Sequence, residues 1–288
     1  WALIMEYALG AATVSIAWSE YLNELTDGGI PYAWCHSPFE SFTDSAGVLH
    51  SGLINLPALA ILLAITLLLI RGTHESAMVN AIIVFIKVSI VLVFIALGWQ
   101  FINPANHVPY LIPADTAPVV DHAGNVIASY SEWNKHGWGG VLGGAAIVFF
   151  AFIGFDAVST AAQEAKNPKR DMPIGILGSL LVCTLLYILF AHVLTGVANW
   201  KDFVNPEKGR EASVAYAIEN FMVGYGWLST AVTVAILAGF SSVILVMLMG
   251  QSRVFYTMSN DGLIPSMFSH LHPKYKTPYN SNWILFLF

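Results

Sequence analysis

Three ionisable side chains lie inside long apolar stretches of the sequence: Glu6, Lys87 and Asp156. A charged group within a membrane-spanning helix is costly, and such residues are functional candidates by default. Lys87, in VNAIIVFIKVSIVLVFIALG, is about ten residues into its predicted helix, which places it near mid-membrane. A low dielectric disfavours the charged form of lysine, so its charge can depend on the state of the protein. This suits a proton carrier, or an ammonium that replaces a bound metal cation; a fixed ion pair with Glu6 or Asp156 is the equally weighted alternative.

Glu6 and Asp156 each have a structural and a functional interpretation. Glu6, in WALIMEYALGAA, either contacts a substrate or holds a neighbouring helix by a hydrogen bond. Asp156 follows Gly154 in FFAFIGFDAVST. Glycine lowers helix stability by about 1 kcal/mol relative to alanine, and an aspartate just beyond it is a typical N-cap. The stretch predicts either two half-helices joined by unwound backbone, as transporters use for charged substrates, or a continuous helix whose glycine allows close packing.

These residues need helices that lie in lipid to position them. The chain is 56% apolar and 10% charged, with a mean hydropathy of +0.65, whereas soluble domains carry about 25% charged residues. A bilayer core of about 30 Å needs about 20 apolar residues in helical form. The sequence therefore predicts an all-α integral membrane protein with one transmembrane domain over residues 1–288. The predicted helices are 1–22, 53–70, 77–102, 139–162, 173–198 and 226–252, with a seventh over 281–288 that is only beginning.

The predicted loops differ in charge. One set of short connections carries seven Lys and Arg residues, and the longer loops between them carry four. By the positive-inside rule the short connections face the cytoplasm, and the first helix runs outward. In the outer loops we expect 103–138 to be irregular and 207–222 to form a helix that lies flat. The short connections are 71–76, 164–172 and 253–280.

Two other classes of protein are disfavoured by the sequence. A channel should show pore rings or repeated filter motifs, and the sequence shows neither. An enzyme would need a metal or nucleophile cluster, but the nine histidines are scattered and no HExxH spacing occurs. We therefore expect neither an enzyme nor a metal site.

The segment FFAFIGFDAVSTAAQEAKNPKRDMPIGI resembles the sixth transmembrane helix and following loop of the amino acid–polyamine–organocation (APC) transporters. Its GF(D/E)…E-x-KNP…P-I-x-I pattern is most similar to the cationic amino acid transporter branch and its bacterial relatives. Further similar segments are WALIMEYALGAATVSIAWSEYL, GTHESAMVN and GQSRVFYTMSNDGLIP. The resemblance implies a LeuT-like fold of inverted five-helix repeats with a discontinuous sixth helix. This chain would be an internal piece of it, from the third through the eighth helix to the start of the ninth.

The resemblance also implies a substrate site at the helix break. Gly154 would let the sixth helix unwind, and the carbonyls near Phe150, Ala151 and Ile153 would face the substrate ammonium, which the negative end of a helix dipole favours. Asp156 would then cap the inner half-helix and make no substrate contact.

Three further positions belong to this implied site. A lysine at the place of Lys87 occurs in proton-coupled relatives, where its ammonium occupies the region of a sodium site. Met247 aligns with a small serine in the vertebrate transporters of arginine, so its bulk argues for smaller, neutral substrates. A lipid-facing or core-filling methionine is the alternative. Glu6 is a further candidate for substrate binding.

The resemblance thus implies a transporter that moves small neutral amino acids with protons by alternating access in a bacterial plasma membrane. A cationic amino acid or polyamine transporter or exchanger is the alternative, and a non-transporting scaffold or channel is a weaker one. The expected partners are an amino acid and the lipid bilayer, without nucleic acid. The expected coupling ion is the proton, and no cofactor is expected.

Overall fold

The computed structural model describes residues 2–26, 28–43, 49–120, 126–152, 167–204 and 213–287. Of the described residues, 74% are helical, which confirms the predicted all-α class. Within the described ranges lie nine α-helices, joined by loops that carry short 3₁₀ turns and two β-hairpins. The helices are α1 (Ala2–Leu25), α2 (Leu56–Arg71), α3 (Thr73–Gly98), α4 (Gly137–Val148), α5 (Pro168–Val197), α6 (Trp200–Val204), α7 (Ser213–Phe221), α8 (Gly226–Asn260) and α9 (Tyr279–Leu287).

Four of these helices are long and apolar enough to cross a membrane. They are α1, α5, α8 and the stretch Met78–Phe101, which joins most of α3 to a 3₁₀ turn at Trp99–Phe101. The 24 residues of α1 extend about 36 Å, enough to span a hydrocarbon core of about 30 Å. α2 and α4 are shorter apolar helices. The predicted integral membrane class is therefore confirmed.

Capping residues, and not the apolar runs, decide where the helices end. α2 begins at Leu56 because the Asn55 side chain accepts a hydrogen bond from the Ala58 N–H (3.0 Å). α8 continues to Asn260, eight residues beyond the predicted end at 252. It ends in a Schellman motif, in which Gly262 has φ +75° and the Leu263 N–H donates to the Met258 carbonyl (2.9 Å). α5 likewise begins at Pro168, ahead of the predicted 173, because proline and Asp171 both favour a first helical turn.

The helix predicted over 139–162 is described only in its first part. α4 runs from Gly137 to Val148 and passes into a 3₁₀ turn over Phe149–Phe152. Residues 153–162 lie outside the described ranges. The discontinuity of this helix, like the LeuT-like repeat, stays a prediction.

The long loops contain more regular structure than the sequence indicates. Strands β1 (Ser41–Thr43) and β2 (Leu49–Ser51) pair antiparallel, with Ser41 opposite Ser51. Strands β3 (Val119–Val120) and β4 (Val126–Ala128) form a second hairpin, so the prediction of an irregular loop over 103–138 is wrong at this point. Strands of two or three residues are too short to show the alternation by which a strand is recognised.

The chain forms two compact units. The first comprises 1–88, 154–176 and 234–288, and the second comprises 89–153 and 177–233. In the first unit the core includes Tyr7 and Ala11 of α1 and Ile244 and Leu245 of α8. The core of the second unit includes Phe94, Val193, Val197, Ile218 and Met222. The single transmembrane domain over 1–288 stays a prediction.

Candidate functional site between α1, α3 and α8

α1 and α8 lie side by side in antiparallel directions within the first unit. Four contacts connect the two helices. As the residue number in α1 increases from one contact to the next, the number of its partner in α8 decreases, which shows that the helices are antiparallel. The contacts are Gln251 Nε2 donating to the Ile4 carbonyl (3.2 Å), Met247 over Gly10, Trp18 Nε1 donating to Ser241 Oγ (3.1 Å), and the Tyr21 and Phe240 rings with centroids 5.6 Å apart. The two helices thus pack against each other over most of the length of α1.

Met247 is buried in this contact, with 3% of its surface exposed. A Cβ atom built on Gly10 would lie 3.5 Å from the Met247 Sδ and 3.6 Å from its Cε. The end of the methionine side chain therefore lies directly over the glycine. Its burial excludes the lipid-facing alternative, while substrate contact and core packing are both compatible with the position.

Glu6 lies on the same face of α1 as Gly10, one turn towards the N-terminus, and its side chain is half-buried. The register places it between the levels of Ile4 and Gly10. The structure thus brings two predicted site residues, Glu6 and Met247, to neighbouring levels of one helix pair. Whether Glu6 binds substrate stays a prediction.

Lys87 lies near the middle of α3 and is half-buried. Its Cδ atom would lie 3.7 Å from a Cβ atom built on Gly239 of α8, so the aliphatic stem lies against α8 in ordinary van der Waals contact. α8 has no Asp, Glu, Lys, Arg or His from 226 to 252. The face of α8 that contacts the stem of Lys87 is therefore neutral, and Gly239 allows the stem to approach the helix closely. The coupling role of Lys87 stays a prediction.

A second contact between α3 and α8 escaped the sequence analysis. The Ser242 hydroxyl, on a residue that is 4% exposed, donates to Asn80 Oδ1 (2.6 Å). Asn80 precedes Lys87 by about two turns on α3, and Ser242 follows Gly239 by about one turn on α8. The same faces of the two helices thus carry both contacts. A polar residue inside each of two apolar helices was the available sequence signal, because such groups usually find partners.

The predicted helix break is only partly within the described residues. Phe150 and Ala151 lie in the 3₁₀ turn Phe149–Phe152, which tightens the backbone at the end of α4. They belong to the second unit. Ile153, Gly154 and Asp156 lie outside the described ranges. The roles predicted for these five residues in substrate binding and helix capping stay predictions.

His192, near the end of α5, makes a histidine contact in the second unit. Its ring stacks on that of His107 with centroids 4.6 Å apart, and His107 Nε2 donates to the His192 carbonyl (3.1 Å).

Outside the membrane-spanning helices, burial raises the pKa of the Cys35 thiol. Among the described residues, no group of three or more His, Cys, Asp and Glu side chains is placed to hold a metal ion.

Helices that are apolar and long enough to cross a membrane define the class of the chain, an all-α membrane protein. A family model described as amino acid permease matches residues 1–288. The chain belongs to this family, and the predicted APC superfamily membership is confirmed.

Three curated relatives illustrate the range of the family. The branched-chain amino acid permease BcaP of Bacillus subtilis (strain 168) is 40% identical, over 98% of this chain and 54% of its own length. The methylthioribose transporter of the same organism is 34% identical, over 99% of this chain and 54% of its own length. Cationic amino acid transporter 9, chloroplastic, of Arabidopsis thaliana is 38% identical, over 94% of this chain and 42% of its own length. The chain thus spans about half the length of the curated relatives it matches.

Family membership decides two further predictions. The family consists of permeases, which confirms that the chain is not an enzyme. The predicted multi-pass location in a bacterial plasma membrane is confirmed by the apolar helices together with the bacterial permeases among the relatives.

Proposed function

We propose that this chain is part of a carrier that imports neutral aliphatic amino acids in symport with protons. The observation that carries the proposal is the pair of contacts on α8. Lys87 lies against Gly239 on one side, and Met247 lies over Gly10 on the other. The first supplies a titratable group within the membrane, and the second limits the size of a side chain that binds beside it.

The proton is the coupling ion that Lys87 suits best. Lys87 is half-buried and its stem lies against a neutral helix face, so the free energy of its charged form depends on how closely the helices pack. A carrier that alternates between two packings would then bind and release a proton at each turn. No metal ion or other cofactor is required by this scheme.

The neutral substrate follows from Met247. A thioether is apolar and offers no acceptor of useful strength to a guanidinium or ammonium group, and it occupies volume. The branched-chain amino acid permeases of B. subtilis and Lactococcus lactis, 40% and 31% identical to this chain, support the same substrate class.

A cationic amino acid is the second candidate. It is favoured by the cationic amino acid transporters among the relatives, of which the chloroplastic Arabidopsis protein is 38% identical. The two candidates differ in what a substrate side chain would meet at Met247, so competition by arginine separates them.

Counterflow in proteoliposomes tests the proposal, with the full-length parent protein as the sample. We expect labelled alanine and leucine to exchange against their own gradients, and an imposed inward proton gradient to drive accumulation. Lys169→Ala, in the first turn of α5, is a matched control that removes a lysine outside the apolar core. Strong competition by arginine would favour the cationic candidate. If none of the amino acids tested exchanged, the proposal that the protein transports amino acids would be overturned.

A further inference from the structure

Gly10 is a glycine in the interior of a helix whose backbone does not require one. It is buried in α1 and is not among the residues with positive φ. Glycine destabilises a helix interior relative to alanine, so a glycine here calls for a packing or functional reason.

Close helix packing does not supply that reason. A Cβ atom at Gly10 would have the Met247 Sδ and Cε at 3.5 and 3.6 Å as its nearest neighbours, which are ordinary contact distances. Alanine would therefore fit, and it would strengthen the helix. The neighbour is also the far end of a flexible side chain, whereas the α8 backbone lies further away.

A side chain larger than alanine would have a different effect. The two extra methyl groups of valine would occupy the space in which the thioether now lies. Methionine has three rotatable side-chain bonds and responds to crowding by changing rotamer. The end of Met247 would then move away from α1.

We propose that Gly10 is a specificity-determining residue. A residue no larger than alanine at position 10 lets Met247 lie back against α1, and this sets the largest substrate side chain that the carrier accepts. The proposal rests on the proposed function, and it refines the substrate class to neutral side chains up to branched-chain size. Gly10 acts through Met247 and makes no contact of its own with substrate.

Four variants of the full-length parent test this. Gly10→Val should lower kcat/KM for leucine relative to alanine by about ten-fold or more, in the range of discrimination by one or two methyl groups. Gly10→Ala should leave that ratio within about three-fold of wild type, because alanine fits. The double variant Gly10→Val with Met247→Ala conserves volume and should restore leucine uptake. Ala12→Val also places a valine on α1, but on its exposed face, and should change the uptake of neither substrate.

A change in selectivity is separated from a loss of folding by two measurements. They are the ratio of leucine uptake to alanine uptake and the midpoint of thermal unfolding. Equal loss of alanine and leucine uptake in Gly10→Val, without rescue by Met247→Ala, would overturn the role of Gly10. Should Gly10→Val fail to insert, the double variant carries the test: a leucine to alanine ratio more than about ten-fold from wild type would overturn the role. Absence of both uptakes in the wild type would instead overturn the proposed function, so the two failures are distinguishable.

Discussion

α8 meets α3 and α1 through contacts of different chemistry, only a few residues apart. Towards α3 it presents Gly239, which lies beside the stem of Lys87, and Ser242, whose hydroxyl donates to Asn80 Oδ1. Towards α1 it presents Ser241 and Met247, and the thioether there lies over a glycine. The contact with α3 contains the Lys87 amine, which can change its charge. The contact with α1 contains the Met247 side chain, which occupies the space over Gly10. Under the proposed function, coupling and selectivity should therefore be separable by mutation, although both contacts involve the same helix.

The largest expected effect comes from Lys87→Ala. Removal of the amine should abolish accumulation driven by a proton gradient while substrate exchange at equal concentrations persists, since the α1 side is intact. The measurement is uptake by full-length protein across a series of external pH values. The ratio of leucine to alanine uptake should stay at the wild-type value. Full pH dependence in this variant would reduce Lys87 to a structural residue and remove the contrast between the two contacts.

Gly239→Leu should come next in size. An alanine Cβ fits beside the Lys87 Cδ at 3.7 Å, but a leucine displaces the stem, and such overpacking costs about 1–3 kcal/mol. The variant should still insert, because leucine favours membrane insertion, yet lose most proton-driven uptake. Gly239→Ala is the matched control and should behave as wild type. Equal uptake by the alanine and leucine variants would show that the contact at Gly239 does not matter for coupling.

Met247→Ser tests the α1 side. Opening this volume and adding a hydroxyl should admit arginine, and discrimination by size is worth about 1–3 kcal/mol, or roughly ten- to two-hundred-fold. Competition of labelled alanine uptake by unlabelled arginine, in wild type and variant, measures it. The pH dependence of uptake should not change. An unchanged competition profile would remove Met247 from the substrate site.

The smallest effect is expected from the paired serines. Ser242→Ala removes the hydrogen bond to Asn80, and Ser241→Ala removes the acceptor of the Trp18 indole N–H. Hydrogen bonds between membrane helices contribute about 0.6 kcal/mol on average, so each variant should unfold slightly more easily in a denaturing detergent. Addition of Asn80→Ala to Ser242→Ala should cost little more, because the two residues share one bond. An additive loss would mean that the bond does not contribute to stability.

Hydropathy was sufficient to predict the class of protein, because each transmembrane helix buries its own backbone hydrogen bonds and needs only an apolar run. It was a poor guide to helix ends. α5 and α8 extend through charged residues, since residues such as Pro168 and Gly262 determine where these helices begin or end and the edge of the membrane does not. Short motifs were sufficient to predict the family. The site residues Glu6, Lys87 and Met247 were selected partly by their chemistry and partly by resemblance.

The sequence alone therefore determined that the chain is a helical membrane protein of the amino acid permease family. Only the tertiary structure decided that Met247 lies over Gly10, that Lys87 lies against Gly239, and that Asn80 bonds Ser242 across 162 residues of sequence. The physical reason is that a helix apolar on all sides, as α3 is, shows no preferred face in its periodicity. Lipid and protein neighbours are equally apolar, so the choice of face falls to small residues and isolated polar groups whose partners are far away in the chain.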